Sequence, residues 1–199
     1  MFEGSILLLA GGRSRRMGRD KRLISLPNQN HLLAETAGRV SFLGAPIYLA
    51  VAARDASRPQ LEGVAVLWDK RPHEGPLTAI ADAADVVEAP LLVMASDLPF
   101  LRPQFLERLL AEAKERPDAS AVVPRGEQRI HPLCAIYRKE ALETFQKAVE
   151  EGERSVVNAL EKLPAPAVHW LPVEDEWILR NWNHPEDRRD PAPPEAKQD

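Results

Sequence analysis

The stretch Ser5-Ile6-Leu7-Leu8-Leu9-Ala10-Gly11-Gly12-Arg13-Ser14-Arg15-Arg16-Met17-Gly18-Arg19-Asp20-Lys21 decides how the rest of the chain is read. Ile6 to Ala10 is apolar at every position instead of alternating. A strand of that kind is buried on both faces, as in a parallel sheet covered by helices. Leu91 to Ala95 repeats the pattern and runs into Ser96-Asp97-Leu98-Pro99-Phe100. Working outward from these two runs, strands are expected over 5–10, 47–52, 64–68, 91–95, 119–124, 133–137 and 167–171. Helices are expected over 31–43, 77–87, 103–116, 139–150 and 155–162. In the helix over 103–116, Pro103 suits the first turn, and Phe105, Leu106, Leu109, Leu110 and Ala113 follow at helical spacing. Strands alternating with helices predict an α/β architecture with a doubly wound, mostly parallel sheet.

The 199 residues fit a single domain, expected over 1–188. A solvated tail is expected over 189–199, where prolines are frequent and apolar side chains few. The 18 prolines mostly mark boundaries, among them Pro46, Pro90, Pro103, Pro117, Pro124 and Pro164. Lys and Arg (26) against Asp and Glu (30) leave a formal charge of −4, which argues against a general nucleic-acid binder. One cysteine, Cys134, excludes an internal disulfide framework and a Cys-rich zinc site. The first apolar run is far shorter than the ~18 residues of a membrane span. Only Met1-Phe2-Glu3-Gly4-Ser5 precede it, with no basic segment of a secretory signal. A soluble cytoplasmic protein is therefore expected.

Ligands of open α/β sheets bind beyond the carboxyl ends of the strands. Three expected strands end there in polar or glycine-rich sequence: Gly11 onward, Trp68-Asp69, and Ser96-Asp97. From Arg13 to Arg22 there are six basic side chains against one acid, in a chain that is acidic overall. Gly11, Gly12 and Gly18 let backbone N–H groups come close to an anion. This describes a cradle for a phosphate chain, although neither the P-loop spacing nor the G-x-G-x-x-G fingerprint is present. Asp97, directly after a fully apolar strand, has two readings: a magnesium ligand that bridges to nucleotide phosphates, or a turn carboxylate before Pro99. Asp69 is equally open, because Asp-Lys-Arg-Pro is also good turn sequence. His131 reads either as a wall of an acceptor pocket or as a structural residue at a strand start. Trp170, Trp177 and Trp182 could each stack on a ring, with core packing the better expectation for at least two of them. Cys134 has no basic neighbour in sequence and reads as a buried apolar residue.

Leu9-Ala10-Gly11-Gly12-x-Ser14-x-Arg16-Met17-Gly18-x-Asp20-Lys21 resembles the opening signature of the molybdenum cofactor guanylyltransferases, the MobA family. Gly75-Pro76-Leu77, Asp97-x-Pro99-Phe100, His131-Pro132-Leu133 and Asn181-x-Asn183-x-Pro185-Glu186-Asp187 follow in the order that family shows. The resemblance implies a Rossmann-like fold of the nucleotide-diphospho-sugar transferase type. It implies transfer of GMP from GTP to molybdopterin, with magnesium as cofactor and pyrophosphate as leaving group. By the same resemblance the backbone of Leu9, Ala10, Gly11 and Gly12 holds the nucleotide, and Lys21 contacts its phosphates. Asp69 is then a nucleotide-side carboxylate and Asp97 the magnesium ligand, while Arg16 and Arg19 assist at the pyrophosphate. Lys21, Asp97 and Arg16 are the catalytic expectations, and Leu-Ala-Gly-Gly with Gly-Pro-Leu points to guanine. Proteins of cofactor biosynthesis or molybdoenzyme maturation are the expected partners, with no nucleic acid and no membrane among them.

Two departures from the family pattern stand out. Ala50-Val51-Ala52-Ala53-Arg54 lacks the asparagine often found near the end of the second strand. His184 replaces the usual threonine of the Asn-x-Asn-Thr-Pro-Glu-Asp segment. Two rival functions remain at this point: a cytidylyl- or sugar-nucleotidyltransferase of the same fold, and a nucleotide-binding accessory protein without catalysis.

Overall fold

A computed structural model describes residues 1–10, 32–51, 61–71, 74–164 and 167–181. The glycine-rich basic loop with Gly11, Gly12, Arg16, Arg19 and Lys21 lies outside the described residues, as do Trp182, Asn183, His184 and the expected tail.

The strands are β1 (Ser5–Leu9), β2 (Ile47–Val51), β3 (Val64–Trp68), β4 (Leu91–Ala95), β5 (Ala121–Arg125), β6 (Cys134–Tyr137) and β7 (Val168–Pro172). The helices are α1 (Leu32–Ser41), α2 (Pro76–Ala83), α3 (Pro103–Glu115), α4 (Lys139–Glu150) and α5 (Val156–Glu161), and a 3-10 turn spans Glu176–Leu179. The strands form one sheet in the order β3-β2-β1-β4-β6-β5-β7. β3, β2, β1 and β4 are parallel, and β5 pairs in parallel with β7. β6 runs antiparallel to both of its neighbours. The 126–133 connection is too short for the crossover that a parallel pairing with β5 would need, so it closes as a hairpin.

The uniform apolar runs are explained by what lies on each face. In β1 and β4, Ile6, Leu8, Leu92 and Met94 join a core with Leu33 and Val40 of α1 and Phe105, Leu106 and Leu109 of α3. Leu7, Leu9, Leu91 and Val93 point the other way, onto Leu77 and Ile80 of α2, Phe145 of α4 and Leu160 of α5. Successive strand residues face opposite layers, so from Ile6 to Leu9 and from Leu91 to Ala95 both faces are met by apolar side chains.

α2 ends at Ala83, short of the expected 87, because Val86 and Val87 both donate to the Ala83 carbonyl and tighten the chain into a turn. The fifth strand starts at Ala121 and not at 119, since the Ala119 N–H donates back to Arg116 in a turn. α2 opens on Gly75 at φ 102°, a conformation that glycine adopts freely, with Pro76 in its first turn and Leu77 fully buried. This gives the Gly-Pro-Leu motif a structural reason.

Candidate active site

The carboxyl ends of β1 to β4 lie along one edge. The register sets Leu9 beside Ala50 and Ala95, and Val51 beside Trp68. The ladder continues one residue past the strands: Ala10 N donates to Ala50 O at 3.3 Å, Asp69 N to Val51 O at 3.0 Å, and Ser96 N to Leu9 O at 3.2 Å. The chain leaves β1 outward to β2 and β3 and returns across to β4, so β1 and β4 flank the switch point where such sheets bind ligands. Leu9 and Ala10 stand on one side of that crevice, and Asp97, in the turn after β4, on the other.

Asp97 is partly buried, and its Oδ1 is shielded from solvent. Asp69 reaches the same edge but not the same spot. β2 and β1 separate β3 from β4, and three spacings of ~4.8 Å put the two backbones about 14 Å apart. The two carboxylates therefore stand at separate places along this edge.

Side chains invisible to the sequence reading brace both strand ends. From α1, Thr36 Oγ1 donates to the Ser96 carbonyl at 3.3 Å. Arg39 Nη1 donates to the carbonyls of Leu98 (3.3 Å) and Leu101 (2.9 Å), while its other nitrogen holds Glu35. The turn that carries Asp97 is thus held at three carbonyls by one helix. After Asp69, Lys70 pairs with Asp85 at 2.5 Å and Arg71 with the buried Asp82 at 2.6 Å, which pins this segment to α2 and the turn that follows it. The partners are apart in sequence and carry no motif; only the single acid of α2, Asp82, could have signalled them.

On the far side of β4 a groove of about 860 Å³ opens between the start of β6, the β5–β6 hairpin and the 3-10 turn. Ala95, Leu98, His131, Glu176, Trp177 and Asn181 are among its walls. His131 is a structural residue at the start of β6 and also a wall of the groove. Its N–H donates to Pro124 and its carbonyl accepts from Cys134, which closes the turn into β6, while its imidazole lines the groove. Burial pushes that imidazole below its ordinary pKa, and the nearby Glu176 carboxylate opposes the shift. Trp177 meets the Phe100 ring at 5.1 Å and the Arg180 guanidinium at 4.9 Å, so its indole is already packed. Trp170 sits on edge strand β7 under Arg125 and packs, partly buried, against the core. Cys134 is fully buried, and burial pushes its thiol up to about 12.

Asp97 offers one carboxylate at the switch point. The described residues contain no group of three or more His, Cys, Asp or Glu placed to hold a metal. A magnesium ion that takes one or two protein carboxylates and completes its shell with phosphate and water needs no such cage. No helix among the described residues is long and apolar enough to cross a membrane.

Residues 6–164 match the MobA-like NTP transferase domain. The chain belongs to that family. It is 32% identical over 188 residues to a protein of Opitutus terrae named "probable molybdenum cofactor guanylyltransferase", covering 91% of each chain. It is 33% identical over 187 residues to a Synechococcus elongatus protein of the same name, covering 91% of this chain and 94% of the other. The fold is that of the molybdopterin-guanine dinucleotide biosynthesis protein A of Archaeoglobus fulgidus, with a TM-score of 0.75, 24% identity and coverage of 93% and 95%. It is also similar to a Thermus thermophilus 2-C-methyl-D-erythritol 4-phosphate cytidylyltransferase (TM-score 0.66, 18% identity, 91% and 93% covered). A Mycobacterium tuberculosis structure in complex with manganese matches at TM-score 0.59, 18% identity and coverage of 85% and 87%. The fold alone therefore does not choose the base.

Proposed function

We propose that this nucleotidyltransferase transfers the GMP part of GTP to the terminal phosphate of molybdopterin and releases pyrophosphate. The observation that carries the reading is the placement of Asp97. It stands at the β1–β4 switch point, with the Leu9–Ala10 strand end on one side and a groove wide enough for an acceptor on the other. The names of the two relatives that match over nearly the whole chain support the choice of substrates.

An oxygen of the acceptor phosphate attacks the α-phosphorus in line; the new P–O bond forms as the bond to the β-phosphate breaks, and pyrophosphate leaves. The acceptor is already an anion, so no side chain has to remove a proton. The work of the protein is positioning and charge stabilisation. Backbone groups of Leu9, Ala10, Gly11 and Gly12 hold the nucleotide, with Asp69 toward its outer end. Lys21 and Arg16, helped by Arg19, take up the charge that develops on the leaving pyrophosphate. Asp97 would hold magnesium, which when bound neutralises phosphate charge and orients the reacting oxygens. Proteins of cofactor biosynthesis or molybdoenzyme maturation are the partners that would supply the acceptor and receive the product. The test is incubation of the purified chain with GTP, magnesium and molybdopterin. Pyrophosphate release with formation of the guanine dinucleotide supports the reading; release with CTP alone, or none at all, overturns it.

A further inference from the structure

The groove against β6 carries polar groups that the transfer step leaves unused. His131 Nε2 and Trp177 Nε1 both belong to its walls, are buried, and have no hydrogen-bond partner among the described residues. Buried donors are nearly always satisfied, so two in one groove mark a place where a ligand supplies acceptor atoms. Beside them stands Glu176. Its Oε2 is 3.7 Å from His131 Nε2, too far for a hydrogen bond, and its Oε1 is met only at 3.5 Å by the Gln128 N–H. The side chain is 30% exposed, so the carboxylate keeps accepting capacity toward the groove.

Donors next to a carboxylate select the occupant. A phosphate would satisfy the ring nitrogens but be repelled by Glu176. A purely apolar ring would leave both ring nitrogens without an acceptor. A neutral ring edge with adjacent N–H donors and a carbonyl acceptor satisfies each of them. That edge is the 2-amino-4-oxo pyrimidine unit, present in a pterin and in guanine.

We propose that Glu176 is a specificity-determining residue that accepts hydrogen bonds from the 2-amino and ring N–H groups of a pterin in this groove, while His131 Nε2 and Trp177 Nε1 donate to its oxo side. The assignment rests on the acceptor proposed above. Sheet order favours the pterin over the guanine. The β1–β3 ends lie on one side of Asp97 and the β6 groove on the other, so a base over Leu9 and Ala10 and a pterin at Glu176 bring their phosphates together at Asp97 between them. A neutral His131, favoured by its burial, suits a neutral ring.

Gly126 makes the placement of Glu176 possible. A Cβ at Gly126 would lie 2.0 Å from Glu176 Cδ, so alanine there must push the carboxylate aside without removing it. Two independent variants therefore test one interaction, and Glu176→Gln keeps the shape of a partly exposed side chain, which makes it safe for the fold.

The experiment is titration calorimetry on the full chain with pterin (2-amino-4-oxopteridine) and lumazine (2,4-dioxopteridine), which lacks the amino donor. Wild type should bind pterin at least ~10-fold tighter than lumazine, as expected where a site is built to pair with the missing group. Glu176→Gln and Gly126→Ala should each bring the ratio toward one, with melting temperature and GTP affinity unchanged. No preference in wild type, or a preference retained in Glu176→Gln, overturns the assignment. So does a Glu176→Gln variant that loses GTP affinity instead, since guanine would then occupy the groove. Pterin preference without GMP transfer in wild type would remove the proposed reaction and keep the groove assignment; transfer without the preference would do the reverse.

Discussion

Asp97 and Asp69 show how much one residue's neighbours decide. Both end strands on the same edge, yet only Asp97 stands at the switch point, with a shielded oxygen and a turn fixed by α1. Asp97→Asn keeps the shape and loses the charge that would hold the metal. Transition-state stabilisation by a bound metal is worth several kcal/mol, so kcat should fall at least ~100-fold with the fold intact by circular dichroism. Activity within a few-fold of wild type would make Asp97 a turn residue. Cys134 gives a prediction of opposite kind. With the thiol pushed up to about 12 and fully buried, the reactive thiolate is only about one part in ten thousand at pH 8. Iodoacetamide should leave the native chain unlabelled over an hour at that pH and label it in urea. Rapid stoichiometric labelling of the native protein would show an open path to the sulfur.

At the scale of elements, the uniform runs at Ile6–Ala10 and Leu91–Ala95 made the two-sided sheet legible, because each layer demands an apolar residue in alternation. The carboxylates were legible for the same reason: a polar residue straight after such a run sits at the sheet edge. The brace from α1 was not. Thr36 and Arg39 reach carbonyls about 60 positions away, and a backbone acceptor leaves no trace in the sequence of the segment that accepts. Nor was the turn at Glu176–Leu179, too short to show a helical period. The brace predicts that Arg39→Met lowers kcat more than it raises the KM for GTP, since it loosens the Asp97 turn and not the β1 end. Charged hydrogen bonds contribute about 1.5 kcal/mol or more, which corresponds to a melting temperature lower by roughly 3–6 °C. An unchanged kcat with the same loss of stability would reduce Arg39 to a packing residue.

For the whole molecule, the sheet order sets the ends of β1 to β3 on one side of Asp97 and β6 with its hairpin groove on the other, which is the division the proposed reaction uses for nucleotide and acceptor. A similar fold carries cytidylyl transfer in a relative, so base choice must come from local contacts and not from topology. The glycine pair at Gly11 and Gly12 lies outside the described residues, and its role rests on the family signature. Glycine backbone leaves peptide groups free to pair with a purine edge, and polar readout of this kind rejects an ill-matched base strongly. GTP should therefore be used at least ~100-fold more efficiently than CTP or ATP in kcat/KM. The most direct measurement of the account is a single competition: the purified chain with magnesium, molybdopterin and equal GTP, CTP and ATP, its products resolved by mass. The guanine dinucleotide with stoichiometric pyrophosphate, lost in Asp97→Asn, is the predicted result. A cytosine dinucleotide as the main product, or guanine product formed equally by Asp97→Asn, would contradict it.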